Sequence, residues 1–213
     1  METWATFDCY GTLIDWNGGI GRELERVFGA ARAGELLHTY HEVEPEIQRE
    51  DPTRSYREVM AIALARLGAP GYEQDALARS LPQWEPFAEV PGALAEARRG
   101  GWKLAVLSNT DRDLLDASLA RIGVEFDLTI VASEIGSYKP AARHWHEFFA
   151  RTGAAPDGHV HVGASLFHDI GPAARLGLRT VWINRLGEEP EPQPDVELRS
   201  LDGLVANLES LLA

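Results

Sequence analysis

Cysteine, basic side chains and long apolar runs are all scarce in this chain of 213 residues. Cys9 is the single cysteine, so no internal disulfide can form, which fits a reducing cytosol. Lys and Arg total 20 against 33 for Asp and Glu, and the net charge of −13 repels phosphate backbones and anionic lipids. No stretch approaches the roughly 18 uninterrupted apolar residues that a bilayer requires. We therefore expect a cytoplasmic protein with no nucleic-acid partner and no membrane association.

The remaining composition is that of an ordinary globular chain. Apolar residues make up 45% and charged residues 25%, which argues against a disordered or fibrous protein. At roughly 150 residues per domain, the length suggests one large domain, or one domain with a subdomain. A small anionic substrate stays possible, but the acidic excess means that it needs a locally positive site.

From residue 84 onward, short apolar runs alternate with amphipathic helical stretches. The runs are partly β-branched or aromatic and predict buried strands, while a glycine after each helical stretch is typical of a helix C-terminus. Repeated strand, helix and glycine predict parallel βα units, and therefore an α/β fold with a doubly wound parallel sheet. The predicted strands are residues 3–8, 103–107, 128–132, 159–162 and 179–184, and the predicted helices between them are residues 93–99, 111–122, 141–152 and 168–176.

Residues 16–83 break this rhythm, because they hold helical segments and no convincing strand. The clearest segment is residues 53–68, whose apolar side chains recur at helical spacing. Pro45 is expected to kink or end the segment before it. We predict a core domain of residues 1–15 and 84–213 with an inserted helical cap subdomain, residues 16–83.

Polar side chains follow four of the predicted strands. Asp8 follows the first strand, Ser108 and Asn109 follow the second, Lys139 comes shortly after the third, and Asp169 follows the fourth. Because ligands bind outside the C-terminal ends of parallel strands, these side chains should meet at one sheet edge. A carboxylate beside a lysine, with donors for an anionic substrate, suits nucleophilic displacement.

These four strand-end positions, which we call stations, carry residues whose types and order resemble those of the haloacid dehalogenase superfamily of hydrolases. The resemblance covers the whole chain, including the helical insert directly after Asp-Cys-Tyr-Gly-Thr-Leu at residues 8–13. It implies that Asp8 is the nucleophile and that Lys139 anchors it. It also implies that Ser108 and Asn109 bind substrate and that Asp169 is the carboxylate of the fourth strand.

Two positions depart from the Mg²⁺-dependent phosphatases that form most of this superfamily. Those enzymes carry an aspartate two residues after the nucleophile and a metal-binding Gly-Asp pair at the fourth station. Here the two positions hold Tyr10 and Ala164. A phosphate ester benefits from a proton donor, worth about 10²–10⁴-fold, and from a metal ion on the phosphoryl oxygens. A carbon–halogen bond needs neither, because halide is a weak base.

The segment Asp-x-Tyr-Gly-Thr-Leu is similar to that of the 2-haloacid dehalogenase branch. This resemblance implies hydrolysis of a small 2-haloalkanoic acid through an ester on Asp8, with no metal and no cofactor. Water near Asp169 and Lys139 would cleave that ester. The substrate carboxylate would meet Ser108, Asn109 and the N-terminus of the helix that begins near residue 111. Further residues expected to contact the substrate are Tyr10, Thr12 and Ser165.

Two features of that branch are missing. Its members place Ser and Asn in the fourth motif, where this chain has Ala164 and Leu166, and they receive the halide on a cap arginine. Residues 35–48, the corresponding stretch, contain His38 and His41 but no arginine. Two alternatives therefore stay open: a Mg²⁺-dependent phosphatase of a small metabolite, and a non-catalytic binding or regulatory protein on the same scaffold. Exposed apolar cap faces also make a homodimer possible.

A pair of histidines lies on the fourth predicted strand. His159 and His161 alternate along it and therefore face the same side. Because no third ligand has metal spacing, we expect no metal site there.

Overall fold

A computed structural model of the protein describes residues 2–213, and within them six strands form one sheet. The strands are β1 (Trp4–Phe7), β2 (Lys103–Ser108), β3 (Leu128–Val131), β4 (His159–Gly163), β5 (Arg179–Ile183) and β6 (Val196–Leu198). Neighbouring strands are parallel, and their order across the sheet is β3-β2-β1-β4-β5-β6. This order reverses direction between β1 and β4, so a crevice opens at the C-terminal ends of those strands.

Helices connect the strands and cover both faces of the sheet. Along β1, Ala5 and Phe7 pack into one buried apolar cluster and Trp4 packs into the other, as the two-residue period of a strand requires. The predicted doubly wound parallel sheet is therefore confirmed. The helices are α1 (Trp16–Phe28), α2 (Ala30–Glu50), α3 (Tyr56–Arg66), α4 (Ala76–Ser80), α5 (Val90–Arg99), α6 (Arg112–Ile122), α7 (Ala132–Ile135), α8 (Arg143–Thr152), α9 (Gly171–Arg175) and α10 (Leu204–Leu212).

A π-helical turn, Leu166–Ile170, replaces the start of the helix predicted over residues 168–176. The Ile170 N–H donates to the Ser165 carbonyl at 3.1 Å, and the regular helix α9 begins only after this wider turn. Such turns are frequent at functional sites because they redirect a side chain. This one carries Asp169 to the end of β4.

Two strand predictions are wrong, and one of the two outcomes expected at Pro45 is excluded. Pro45 does not end its helix, because α2 continues through it to Glu50 while Tyr40 and Ile47 on either side are fully buried. Packing of that apolar face outweighs the one backbone hydrogen bond that proline removes. Residue 132 begins α7 rather than ending β3, and β6 lies in a segment for which no strand was predicted. An edge strand of three residues leaves too short a pattern to recognise.

The insert, residues 16–83, contains α1 to α4 and joins β1 to the rest of the core. Its division from the core as a separate subdomain stays a prediction. Several contacts join the two parts, and in one of them the Asp111 carboxylate accepts the backbone N–H groups of Tyr56 at 2.9 Å and Arg57 at 3.0 Å, at the N-terminus of α3. A negative charge there stabilises the helix end. Asp111 caps this distant helix and makes no side-chain cap to α6, the helix it precedes.

None of the helices within residues 2–213 combines the length and the low charge needed to cross a bilayer.

Candidate active site

A cavity of about 450 Å³ lies where the C-terminal ends of the central strands face the insert. The volume falls within the range of pockets that bind small molecules. Residues from the core on its surface are Asp8, Tyr10, Gly11, Asp15, Phe87, Ser108, Asn109, Lys139, Ala164, Ser165, His168, Asp169, Ile183, Arg185, Leu186 and Glu188. The insert contributes a second surface, the insert wall, formed by Trp16, Asn17, His41, Glu44, Pro45 and Tyr56.

Asp8 follows β1 directly and lies on the cavity surface with a relative exposure of 9%. Its backbone N–H donates to the Val162 carbonyl at 3.0 Å, which fixes the main chain against β4. The Thr12 hydroxyl donates to Oδ2 at 2.8 Å, and the Lys139 ammonium donates to Oδ1 at 2.8 Å. Burial raises the pKa of Asp8 to about 6, with Lys139 opposing the rise and Asp169 adding to it. The carboxylate is therefore mostly ionised at neutral pH and held in one orientation.

Lys139 lies between two carboxylates. Its Nζ is 2.8 Å from Asp8 Oδ1 and 2.6 Å from Asp169 Oδ1, and the side chain is almost fully buried. Burial acts to lower the pKa of Lys139, but the charges of Asp169 and Asp8 outweigh it and raise the pKa. The amide of Asn109 holds the lysine main chain, since Nδ2 donates to its carbonyl at 3.0 Å and Oδ1 accepts its N–H at 2.7 Å.

Asp169 is fully buried behind Lys139. Burial acts to raise the pKa of Asp169, but the Lys139 charge and a hydrogen bond from His161 hold it well below its usual range. Gly163 makes room for this side chain, because a Cβ there would lie 2.6 Å from the Asp169 Cβ. Asp169 Oδ2 is buried and accepts no hydrogen bond from residues 2–213, so one carboxylate oxygen is left for a ligand or water.

Among the predicted substrate contacts, Ser108 has a side-chain oxygen that is free to bond a ligand. Its side chain is buried on the cavity surface, and its Oγ has no hydrogen-bond partner among the described residues. Asn109 also lines the cavity, but its amide is used to hold Lys139. The structure thus brings Asp8, Ser108, Asn109, Lys139 and Asp169 to one cavity.

Three of the other predicted substrate contacts use their polar atoms within the protein. Thr12 does not line the cavity, and its hydroxyl bonds Asp8 and accepts the Ala164 N–H at 2.9 Å, so the expected substrate contact is wrong and Thr12 positions Asp8. Tyr10 presents its ring to the cavity, while its hydroxyl lies 3.0 Å from the Ser118 hydroxyl on α6. Ser165 lines the cavity and its Oγ accepts the His168 N–H at 3.0 Å, which caps the π-helical turn.

The insert wall carries three polar side chains that were not assigned from the sequence, namely Asn17, His41 and Glu44. His41 stacks on Trp16 with ring centroids 5.0 Å apart, and its Nε2 lies 2.9 Å from Asn17 Oδ1. Glu44 is only 5% exposed, and Gln48 donates to its Oε1. Burial raises the pKa of Glu44 to about 8, so its carboxyl is mostly neutral at pH 7. Helical spacing would have shown that His41 and Glu44 share one face.

Arg185 was also missed, although it follows β5 as the other candidates follow their strands. Its Nη2 donates to the Thr12 carbonyl at 2.8 Å and to Glu89 Oε1 at 2.7 Å, and its guanidinium lies 3.5 Å from the centre of the Phe87 ring. The rule that polar residues at strand ends meet at one sheet edge, applied also to the fifth strand, would have identified Arg185. Arg185 and Lys139 are the two Arg or Lys side chains on the cavity surface, and both are paired with carboxylates.

The described residues offer no cluster of three or more metal-binding side chains at this site. Within residues 2–213, no three or more His, Cys, Asp or Glu side chains are placed to hold a metal ion. The two carboxylates of the site share the Lys139 ammonium instead. Mg²⁺ prefers octahedral oxygen ligands, and an ammonium between the carboxylates supplies positive charge at that place.

A haloacid dehalogenase-like hydrolase family model matches residues 3–177. The chain belongs to this family. It is 31% identical over 217 positions to the (S)-2-haloacid dehalogenase of Pseudomonas sp. (strain YL), covering 96% of this chain and 93% of the relative. It is 33% identical to the phosphoserine phosphatase of Thermus thermophilus, over 60% of this chain and 53% of that one. The resemblance seen in the sequence is confirmed.

Solved structures of the family share the whole fold. The L-2-haloacid dehalogenase from Xanthobacter autotrophicus, with chloropropionic acid covalently bound, superposes with a TM-score of 0.84. The match covers 98% of this chain and 99% of that one at 21% sequence identity. The haloacid dehalogenase-like fold, including the helical insert, therefore extends over nearly all of the protein.

Proposed function

We propose that this protein hydrolyses the carbon–halogen bond of a small 2-haloalkanoic acid without a metal ion. One observation carries the proposal: the Asp8 carboxylate faces a cavity while Lys139 and Thr12 hold its oxygens. The positions at which the superfamily's phosphatases place further carboxylates are Tyr10 and Ala164. The similarity to the Pseudomonas dehalogenase over almost the full length of both chains supports the same reading.

In the first step, an Asp8 oxygen attacks C2 of the substrate. A bond forms between that oxygen and C2 while the carbon–halogen bond breaks, and halide leaves with the bonding electron pair. The product is an ester between Asp8 and the alkanoic acid. Lys139 keeps the carboxylate ionised and oriented before attack, which lowers the entropic cost of reaching the transition state.

The substrate carboxylate is held on the core side of the cavity. Ser108 offers a hydroxyl with no partner among residues 2–213, and Lys139 and Arg185 supply positive charge. These groups place C2 over Asp8. The arrangement accounts for selection of an acid rather than a neutral haloalkane.

Halide departs toward the insert wall. Backside attack sends the leaving group away from Asp8, and Trp16, His41 and Tyr56 offer aromatic surface on the opposite side of the cavity. Glu44 lies in the same wall, where an ionised carboxylate would repel a departing anion. Burial removes this repulsion by keeping Glu44 neutral near pH 7.

In the second step, water attacks the Asp8 carbonyl carbon. Water delivers a proton to Asp169, whose Oδ2 is buried and unpaired among the described residues, and its oxygen joins the carbonyl. The bond between the carbonyl carbon and the ester oxygen then breaks, and Asp169 returns the proton to the 2-hydroxyalkanoate. The Asp8 carboxyl, which now carries one oxygen from water, loses the second proton of that water to solvent, and the carboxylate is regenerated.

The halide-release assay decides between this function and its alternative. The protein is incubated with 2-chloropropanoate and bromoacetate in EDTA, and separately with p-nitrophenyl phosphate and Mg²⁺. We expect halide release in EDTA and, in a single turnover in H₂¹⁸O, incorporation of label into Asp8. Phosphate release that requires Mg²⁺, without halide release, would instead support a phosphatase, the activity named for the Thermus relative. Inactivity in both assays would contradict the proposal.

The pH profile of kcat/KM should be bell-shaped. Asp8 must be ionised to attack, so the rate should fall as pH drops through about 6. Glu44 must be neutral, so the rate should fall as pH rises through about 8. Because kcat/KM reports on the free enzyme, both limbs of the profile should follow the pKa values of these groups without substrate bound.

Glu44→Gln tests the assignment of the alkaline limb. The amide keeps the shape of the side chain and cannot ionise, so the alkaline limb near pH 8 should disappear while the acid limb stays. A variant that retains both limbs would show that another group titrates on the alkaline side.

A further inference from the structure

A chain of buried polar side chains lies behind Asp169 and takes no part in the proposed steps. Thr6 on β1 and His159 and His161 on β4 are all fully buried. Thr6 and His161 are register partners, so the three side chains lie on the same face of adjacent strands. Polar groups in the middle of a parallel sheet are costly, and strands of this kind are usually apolar.

The hydrogen bonds of these residues are continuous. Thr6 Oγ1 lies 2.8 Å from His159 Nε2 and 2.8 Å from His161 Nδ1. His161 Nε2 lies 3.3 Å from Asp169 Oδ1, the oxygen that also accepts from Lys139. The chain therefore runs from His159 through Thr6 and His161 to the Asp169 carboxylate.

The direction of every hydrogen bond follows from the carboxylate at its end. Ionised Asp169 only accepts, so His161 Nε2 carries a proton and its Nδ1, in the neutral ring, accepts the Thr6 hydroxyl proton. Thr6 has then used its only proton, so its oxygen accepts from His159 Nε2. His159 Nδ1 is left without a proton, which agrees with its having no partner among residues 2–213.

The surroundings keep both rings neutral. Trp145 meets His161 edge-on at 5.1 Å, and Phe148 and Phe149 of α8 lie 5.0 Å and 5.2 Å from His159. Burial lowers the pKa of His159 to about 3. Burial also lowers the pKa of His161, and the opposing effect of Asp169, which acts to raise that pKa, is too small to compensate.

The charged and titratable groups around His161 come from four elements. Lys139 acts against its protonation and Asp169 favours it, while His159 lies on the same strand. His144 of α8 is also buried, and burial together with the Lys139 charge lowers its pKa to about 3. Lys139 is therefore the only cation among these neighbours, and the two strand histidines act as dipoles.

We infer that His159, Thr6 and His161 form a hydrogen-bond chain of fixed polarity that positions Asp169 for the water-attack step. This inference rests on the proposed function. Each donor points toward Asp169, so the chain holds Oδ1 and leaves Oδ2 aimed at the water. These residues touch neither substrate nor Asp8 and act only through Asp169. Their loss should slow hydrolysis of the ester and leave substrate capture unchanged.

The protonation pattern can be measured without any substrate. Ring nitrogens of ¹⁵N-histidine-labelled protein are observed by long-range ¹H–¹⁵N correlation from pH 5 to 8, with His159→Gln and His161→Gln used for assignment. We expect both rings to be neutral Nε2–H tautomers throughout. In Thr6→Val, His161 should keep the Nε2–H tautomer that Asp169 sets, whereas His159 loses its acceptor and should no longer be held in one tautomer. A ring that is protonated, or that carries its proton on Nδ1, in the unaltered protein would overturn the inference.

The kinetic arm compares three near-isosteric variants under conditions in which the unaltered protein releases halide. Thr6→Val should lower kcat about tenfold with little change in the rate of the alkylation step, so that the ester accumulates. Thr6→Ser retains the hydroxyl and should restore kcat. Thr129→Val on β3 removes a hydroxyl that accepts a hydrogen bond from Arg112, on a strand separated from β1 and β4 by β2, and should leave kcat unchanged.

Outcomes of the two arms separate the inference from the proposed function. A protein that shows the expected tautomers but releases no halide would contradict the proposed function alone. Thr6→Val and Thr129→Val variants with equal kcat would contradict the positioning role even where dehalogenation is found.

Discussion

Asp8→Asn should abolish halide release, lowering kcat by at least about 10⁴-fold. The amide is a poor nucleophile, and Asp169, the carboxylate that shares Lys139 with Asp8, is fully buried behind that lysine. The substitution preserves shape, and the Thr12 hydroxyl can still donate to the side-chain oxygen. Halide release and ester formation, followed by mass spectrometry of the intact protein, measure the effect.

Asp15→Asn is the matched control for this substitution. Asp15 lines the same cavity, and its carboxylate accepts the Gly18 N–H as the N-cap of α1. Asparagine caps a helix about as well as aspartate, so the control should fold normally and keep most of its activity. If Asp8→Asn retained substantial halide release, a nucleophile on the enzyme would have to be sought elsewhere.

Lys139→Met should have the largest combined effect on stability and activity. Methionine fills a similar volume but leaves Asp8 and Asp169 facing each other without the ammonium between them. Removing one partner of a buried ion pair costs about 3–5 kcal/mol in the free energy of unfolding. Activity should fall by about 10³-fold, because Asp8 is then neither held nor kept ionised. Chemical denaturation and halide release measure the two losses.

The stability loss of Lys139→Met should depend on pH. Without the lysine, the pKa of Asp8 rises further above 6, because the opposing charge is gone while burial and Asp169 remain. A raised folded-state pKa stabilises the protein below the unfolded value near 4, and this stabilisation is lost as pH rises through the folded value. The variant should therefore be least stable, relative to the unaltered protein, near pH 8 and closest to it near pH 5.

Lys103→Met is the control, since Lys103 is the other lysine of the chain. It is the first residue of β2, is partly exposed, and pairs with Asp127. An exposed pair contributes about 0–1 kcal/mol, so this variant should lose little stability and no activity. Equal losses in the two lysine variants at every pH would contradict the buried ion-pair arrangement.

The stations at the strand ends were readable from the sequence because parallel topology fixes where they meet. Once Asp8, Ser108, Lys139 and Asp169 each follow a strand of one sheet, their convergence needs no further information. The helical insert was readable for a similar reason, since residues 16–83 lack strand patterns. Even so, short-range rules could not decide whether the helix ends at Pro45, and packing of the flanking apolar face carries α2 through it.

The hydrogen-bond partners of the side-chain hydroxyls could not be predicted from the sequence. Thr12 and Tyr10 both lie close to Asp8 in the sequence. The Thr12 hydroxyl bonds the Asp8 carboxylate, whereas the Tyr10 hydroxyl bonds Ser118 of α6. Which way a hydroxyl points depends on partners more than 100 positions away, such as Ser118 and the Ala164 N–H. Local spacing carries no information about those partners.

The order of strand and helix, the four stations and the absence of the phosphatase carboxylates were determined by the sequence alone, because each is a matter of residue type and spacing. Only the tertiary structure decided the electrostatics of the site. It places Lys139 between two carboxylates, buries Glu44 so that its carboxyl is neutral, and brings the His161 ring to the Asp169 carboxylate. Charge state depends on burial and on neighbours from distant segments, and only the folded chain brings these together.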